Sequence, residues 1–293
     1  MTMKRRHKFL GGRRALIKVL GKAIALVALT LGLTVFAYLG MVTFPQLMFS
    51  NHITYQSYDV WSDRTIPPQI EQVLNDATRR LRTSDLHEPN QKVKLFFCND
   101  SWRLLIHALD DQSAGNTDTW LTRNMYIRAS DISNNRFYAP DNKPIPDEAH
   151  RPLSYVIAHE VAHVIEAIQF DRPLKLKYPN WLLEGYADYV AKGGDFDFDE
   201  NRRLLKINSP LLDVQKSGLY RRFHLEVAYL IDKKGLTARQ VFANPPQEVD
   251  LLTVLKSDAI LANSSKITLT YISPSEEAKQ LCKKKSDSAT SSH

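Results

Sequence analysis

The sequence predicts an α+β fold that follows a single N-terminal transmembrane helix. The chain has 293 residues, of which 43% are hydrophobic and 24% charged, so it is long and apolar enough to bury a core. Beyond residue 50, strand-like patterns come first, and helical patterns dominate from residue 152 onward. This order is typical of α+β domains, here with a small N-terminal sheet and a helical C-terminal half.

The N-terminus has the pattern of a membrane anchor. Residues 1–22 hold eight Lys and Arg and no Asp or Glu, and residues 23–49 follow without a charge. At about 1.5 Å per residue, such a helix spans a hydrocarbon core of about 30 Å. Because the cations precede the apolar segment, we expect a cytoplasmic N-terminus and a periplasmic or extracellular remainder. The alternatives are a cleaved signal, a twin-arginine export signal at Arg13-Arg14 and a buried core helix.

The net charge of +7 belongs to this leader. Outside residues 1–22 the chain holds 31 basic and 32 acidic residues. Because the remaining domain has no excess of cations, we expect the membrane to be a partner of this chain and nucleic acid not to be one.

Hydrophobic periodicity predicts four elements before residue 110. They are a strand at 53–61, a helix from Pro67 to Leu81, a buried strand at 93–97 and a short helix at 102–109. Cys98 directly follows the buried strand. A disulfide to Cys282 and two unpaired thiols are both compatible with the sequence.

The chain from residue 110 onward changes from loops to helices. Residues 110–150 are rich in Asp, Asn, Ser and Pro and predict cleft-forming loops with one strand near 125–128. Helical patterns then cover three segments: 152–170, 179–192 and 217–234. One domain is therefore expected over residues 51–255. Residues 256–293 form an extension whose end, 283–293, should be disordered because it has nothing to bury.

The motif His159-Glu160-Val161-Ala162-His163 lies inside the first of these helical patterns. The helical period places His159 and His163 one turn apart on one face, where both imidazoles can bind the same zinc ion. Glu160 lies about 100° further round the helix, close enough to reach a zinc-activated water without being a ligand. The motif therefore predicts two zinc ligands and a general base.

The segment from Trp181 to Tyr189, W-L-L-E-G-Y-A-D-Y, resembles the thermolysin-like gluzincins. Catalytic zinc takes three protein ligands, and a single helix cannot supply the third. In gluzincins the third ligand is a Glu on the next helix, and an Asp four residues later orients a histidine ligand. The resemblance therefore implies that Glu184 binds zinc and that Asp188 is the hydrogen-bond partner of His159.

The metzincins, which share the H-E-x-x-H motif, do not match this chain. Their pattern requires Gly where Glu166 stands and His where Gln169 stands. Glu166 lies three residues after His163 and could reach the metal, but a solvated or capping carboxylate is the expected role because it is the commoner one.

A further segment is similar to the peptidase MA-like group of gluzincins. In that group a Tyr opens a helix that runs through an apolar Y-L-I to a Gly, as the chain does from Tyr220 to Gly235. Gluzincins usually add a Tyr or His that donates to the oxyanion of the tetrahedral intermediate. The resemblance covers about residues 52–245 and implies this role for Tyr220 or His224, with Tyr220 at the family position. Packing or surface roles are the alternative for both.

Taken together, these residues predict a membrane-anchored zinc metallopeptidase that cleaves peptide or protein substrates outside the cytoplasm. Two other functions stay open. One is a binding or envelope-assembly protein that keeps the zinc fold for stability, and the other is a hydrolase of another amide, such as a cell-wall peptide crosslink. The presence of every residue needed for hydrolysis favours the peptidase.

Overall fold

The N-terminal unit, Met1–Met48, is built around one long helix, α1 (Met3–Thr43). Within the computed structural model, which describes residues 3–110, 112–140 and 143–257, the segment Val19–Thr43 is long and apolar enough to cross a membrane. The helix ends at Thr43 instead of continuing towards the predicted boundary at residue 49. Pro45 explains the difference, because a proline disfavours helical backbone at the residue that precedes it.

The second unit, Phe49–His293, begins with a mixed sheet. Its strands are β1 (Asn51–Tyr55), β2 (Tyr58–Ser62), β3 (Val93–Cys98), β4 (Gly115–Thr117) and β5 (Asn124–Arg128). They lie in the order β1-β2-β3-β5-β4, with β2, β3 and β5 parallel and the edge strands β1 and β4 antiparallel to their neighbours. Leu95, Phe96 and Phe97 of the central strand are fully buried, as expected for a strand covered on both faces.

Two parts of the sheet differ from the prediction. The strand expected at 53–61 is a hairpin, β1–β2, whose turn contains Gln56 with a φ of 52°. Hairpin turns of this kind usually contain Gly, Asn or Asp, and this one contains Gln56 and Ser57. The sequence therefore has no turn signal that would divide the predicted strand into two. A small ladder of β6 (Ser130–Asp131) and β7 (Arg136–Phe137) follows the expected strand β5.

The helical C-terminal half contains a helix in each of the three predicted segments. The helices of the second unit are α2 (Ile70–Leu81), α3 (Ser101–Ala108), α4 (Leu153–Gln169), α5 (Leu174–Lys177), α6 (Asn180–Lys192), α7 (Phe198–Lys206), α8 (Val214–Ser217), α9 (Arg221–Ala228), α10 (Ala238–Ala243) and α11 (Glu248–Lys256). The helix predicted at 217–234 is shorter, because it begins at Arg221 and passes into a π-helical turn at Tyr229–Lys233. Helices α5, α7, α8, α10 and α11 were not predicted.

Helices α4, α6 and α9 pack together behind the sheet in one apolar core. α4 is buried almost all round, so its few polar residues lie in the protein interior. Gly185 allows α6 to approach α9 closely, because a Cβ at this position would lie 2.5 Å from the carbonyl oxygen of Phe223. This close contact places Glu184 of α6 beside the start of α9.

The predictions for the two cysteines and for the C-terminal extension lie only partly within the described residues. Cys98 is buried and carries a free thiol, while Cys282 lies outside the described residues. The extension predicted at 256–293, including the tail at 283–293, also lies outside them except for its first two residues. The mixed α+β class and the order of sheet before helices are confirmed.

Candidate metal centre

Three predicted donors converge between α4 and α6. The Oε2 atom of Glu184 lies 3.4 Å from Nε2 of His159 and 3.7 Å from Nε2 of His163. One ligand atom from each of the three residues lies within 4.8 Å of the other two. Ligands at about 2.0–2.1 Å from a tetrahedral zinc ion are about 3.3 Å apart, so these separations fit one zinc ion with little adjustment. Two imidazoles and one carboxylate also leave a fourth position open, as a catalytic zinc requires.

The charges of the centre favour a cation. Burial lowers the pKa of His163, but the Glu166 and Glu184 carboxylates outweigh this effect and hold that pKa well above its usual value. Burial raises the pKa of Glu184, and hydrogen bonds to His159 and His163 more than reverse the effect and hold it well below its usual range. Two carboxylates thus face the two imidazoles in a buried cluster that either protonated imidazole or a divalent cation would stabilise.

Glu166 is hydrogen-bonded to one of the candidate ligands. Its side chain is completely buried, and its Oε2 atom lies 2.8 Å from Nδ1 of His163. This contact assigns the proton of His163 to Nδ1 and leaves Nε2, which faces Glu184, to bind a metal. The expectation of a solvated or capping carboxylate at Glu166 is therefore wrong.

Asp188 has partners other than the predicted one. Its Oδ1 atom accepts a hydrogen bond from the Tyr155 hydroxyl, and its Oδ2 atom lies 2.8 Å from Nδ1 of His224. Within the described part of the chain, Nδ1 of His159 is buried without a hydrogen-bond partner. The predicted bond between Asp188 and His159 is therefore not formed, and Asp188 instead joins α6 to α4 and α9.

The general base predicted from the motif, Glu160, is positioned by the edge strand β4. The Thr117 hydroxyl lies 2.7 Å from Oε2 of Glu160 and 3.0 Å from its carbonyl oxygen. On the same strand, Gly115 leaves the space that the Glu160 side chain occupies, because a Cβ there would lie 2.8 Å from both Cγ and Oε1. The Glu160 carboxylate thus lies next to the candidate ligands and lines the cleft.

Of the two predicted oxyanion donors, only Tyr220 lies at the candidate metal centre. The ring of Tyr220 stacks on that of His159, with centroids 5.7 Å apart. Burial raises the pKa of Tyr220, and the Glu184 and Glu160 carboxylates raise it further, so the hydroxyl stays protonated and can donate. His224 is buried, bonded to Asp188 and stacked on Phe196 at 3.6 Å. This corrects the prediction for His224, which lines neither cavity beside the donors.

Two cavities flank the centre and share five lining residues. The metal cavity has a volume of about 220 Å³ and includes the three donors. The second, here called the apolar cavity, has a volume of about 420 Å³ and also borders Glu160. The shared residues are Ser113, Gly115, His159, Glu160 and Tyr220. A substrate could therefore extend from one cavity past the base into the other.

Comparison with protein families, curated proteins and solved structures finds no match to this chain. The resemblance to gluzincins therefore rests on the sequence motifs alone, and the convergence of the three donors is a separate observation.

Substitution of Gly115 by Ala should displace the general base and leave the metal bound. The new Cβ would lie 2.8 Å from Glu160 Cγ and 2.9 Å from Cδ1 of Ile127, so the Glu160 side chain must move. A misplacement of about 1 Å can reduce catalysis by about 100-fold, and we expect a loss of that order in kcat. Steady-state kinetics and zinc analysis of Gly115→Ala measure both effects. Gly32→Ala is the matched control, because it adds a Cβ in open space; equal kcat in the two variants would contradict the prediction.

Glu166 and Asp188 should differ in their effect on zinc affinity. Glu166→Gln removes the charge that orients His163, and loss of such a partner typically weakens metal binding by about 10- to 100-fold. Asp188→Asn should change the affinity much less, because Asp188 contacts Tyr155 and His224 rather than a ligand. Competitive chelator titration of both variants tests this order. A larger loss in Asp188→Asn would restore the pairing predicted from the sequence.

Proposed function

We propose that this chain is a zinc-dependent metallopeptidase, anchored by α1 and acting on peptide or protein substrates outside the cytoplasm. The observation that carries the proposal is the convergence of His159, His163 and Glu184 beside Glu160 in an open cleft. The donor set is one in which catalytic zinc occurs, and all four residues line the metal cavity.

The chain's own residues would carry the proton transfers. Zinc held by the three donors would polarise the scissile carbonyl and lower the pKa of water in the cleft. Glu160 accepts a proton from the attacking water, whose oxygen bonds to the carbonyl carbon. It then passes that proton to the leaving amine as the C–N bond breaks. The Tyr220 hydroxyl, held protonated by its surroundings, donates to the oxyanion.

The edge strand β4 would align the substrate. Among the described strands it pairs with β5 alone, and it lies along the cleft next to Glu160. An extended peptide can add to such an edge through main-chain hydrogen bonds, which hold a scissile bond in one direction.

The decisive experiment is digestion of a peptide library by the full-length, zinc-loaded protein in detergent. Mass spectrometry should detect new peptide termini that depend on zinc and are not formed by Glu160→Gln. If the wild-type protein binds zinc fully and cleaves nothing, the proposed activity is wrong and a binding role is favoured.

The anchor predicts a specific orientation. Residues 1–22 are basic and precede the apolar segment Val19–Thr43, so we expect the domain after α1 to lie outside the cytoplasm. A reporter enzyme that is active only outside the cytoplasm, fused after residue 257, should therefore be active. The same reporter fused after residue 18 should be inactive. Recovery of the full-length chain in the soluble fraction after a high-salt wash would contradict the anchor.

A further inference from the structure

The apolar cavity is lined by a cation, Arg151, that has no anionic partner among the described residues. Phe137, Ile145 and Val156 contribute apolar walls, and Arg151 lies among them. Among the described residues Arg151 forms no ion pair, and its Nε atom is buried without a hydrogen-bond partner. Nearby cations are paired: Arg136 with Glu148, and Arg221 and Lys192 with Asp147.

Arg151 lies in line with the metal ligands. Tyr155, His159 and His163 follow each other at intervals of four residues on one face of α4, and Arg151 lies just before the N-terminus of that helix. The guanidinium carbon lies 5.4 Å from the centroid of the Tyr155 ring, whose centroid lies 6.1 Å from that of His159. The cation is therefore at the end of a row of side chains that leads directly to the zinc ligands.

We propose that Arg151 binds a carboxylate of the substrate, so that the protein selects peptides in which apolar residues lie next to an acidic group. This inference rests on the proposed peptidase function and adds the class of substrate. A guanidinium fork binds a carboxylate through two parallel hydrogen bonds, and in a largely apolar cavity such a bond is stronger than in water. Arg151 as a whole is half-buried, but its Nε atom is buried without a hydrogen-bond partner, and leaving such a donor unpaired is costly, which favours a site completed by a ligand.

The spacing of these side chains limits where the carboxylate can lie in the substrate. The guanidinium carbon of Arg151 lies 5.4 Å from the Tyr155 ring centroid, which lies 6.1 Å from that of His159, so the cation is within about 12 Å of the His159 ring. An extended peptide advances about 3.3 Å per residue, so the acidic group should lie within about four residues of the scissile bond. An Asp or Glu side chain and the C-terminal carboxylate of a short peptide both meet this requirement.

Peptide binding to the full-length, zinc-loaded Glu160→Gln variant tests the inference without turnover. The probes are fluorescent apolar hexapeptides that carry one Glu and an amidated C-terminus, the same peptides with Gln, and the Gln peptides with a free C-terminal carboxylate. Fluorescence anisotropy should show the best Glu peptide binding about 10- to 100-fold more tightly than its Gln partner, as expected for a charge-assisted double hydrogen bond. Tight binding of the third probe instead would identify the terminal carboxylate as the ligand.

Substitution of Arg151 in the Glu160→Gln variant tests whether this residue causes the preference for a carboxylate. In Arg151→Met the advantage of the carboxylate should fall to within about 2-fold, since the charged partner is lost. In Arg151→Lys it should persist in weakened form, because a lysine is a point charge rather than a fork. Arg82→Met, at an exposed position at the end of α2, should retain the full preference.

Three results would overturn the inference: no peptide binding, equal binding of all probes, or an unchanged preference in Arg151→Met. A uniform loss of affinity for every probe in Arg151→Met and Arg151→Lys, with a lower melting temperature, would assign Arg151 a purely structural contact with Tyr155. Failure of the peptidase proposal is distinct. It would appear as absence of zinc-dependent cleavage by the wild-type protein, with the carboxylate preference in binding intact.

Discussion

Substitution of Glu160 by Gln is expected to abolish peptide hydrolysis while zinc remains bound. The amide cannot accept a proton from water, and general base catalysis typically contributes about 100- to 10,000-fold to the rate. Because Glu160 is not one of the three converging donors, the metal site keeps its ligands. The Thr117 hydroxyl can still donate to the amide oxygen, so the local packing should be preserved.

Kinetics, zinc analysis and thermal unfolding of the same preparation provide the measurement. Glu71→Gln, on the exposed first turn of α2, is the matched control and should retain wild-type turnover. If Glu160→Gln kept near-normal kcat with full zinc, another group would have to be the base. If it lost zinc as well, Glu160 would have to be reassigned as a ligand.

The convergence of the three candidate metal donors could be predicted in large part from the sequence because the spacing of two of them is local. Two histidines four residues apart on one helix share a face in any fold, and the motif around Glu184 identified the third donor through family resemblance. The contact between Glu166 and His163 could have been predicted from local spacing as well. Glu166 lies three residues after His163 on the same helix, and side chains at this spacing are neighbours.

The partner of Asp188 depends on the register between helices, which periodicity does not contain. α4 and α6 pack so that Glu184 lies at His159, while Asp188, one turn later, lies at Tyr155, one turn earlier. The helices therefore run antiparallel, and a residue four positions beyond Glu184 moves away from the metal ligands. Tyr220 and His224 are also four residues apart, and this spacing could not tell which of them lies at the site. In the structure only Tyr220 lies against His159.

Strand β4 was missed although it positions Glu160. Its three residues, Gly115, Asn116 and Thr117, show no apolar alternation, and Gly and Asn are depleted in strands. The strand exists because β5 provides its hydrogen-bond partner and α4 packs against it. Both contacts are non-local, so composition alone predicted a loop in this segment.

Substitution of Glu184 by Ala is expected to remove zinc from the protein. Loss of a mere hydrogen-bond partner of a ligand weakens metal affinity by about 10- to 100-fold, so loss of a ligand itself should exceed about 100-fold. The helix should tolerate the change, since Ala is the strongest helix former and α6 is anchored by its buried residues. We expect one zinc per chain in the wild-type protein and none after dialysis in Glu184→Ala.

Thermal stability provides a second measurement of the same loss. Zinc that binds only the folded state adds about 4 kcal/mol of stability at a free concentration of 1,000 times Kd. The wild-type protein should therefore lose melting temperature when a chelator is added, whereas Glu184→Ala should be insensitive to it. Glu71→Ala, a matched change of an exposed carboxylate, should respond like the wild type. Retention of stoichiometric zinc and of chelator sensitivity in Glu184→Ala would exclude this residue as the third ligand. His159 and His163 would then have to recruit their metal partner from elsewhere in the cleft.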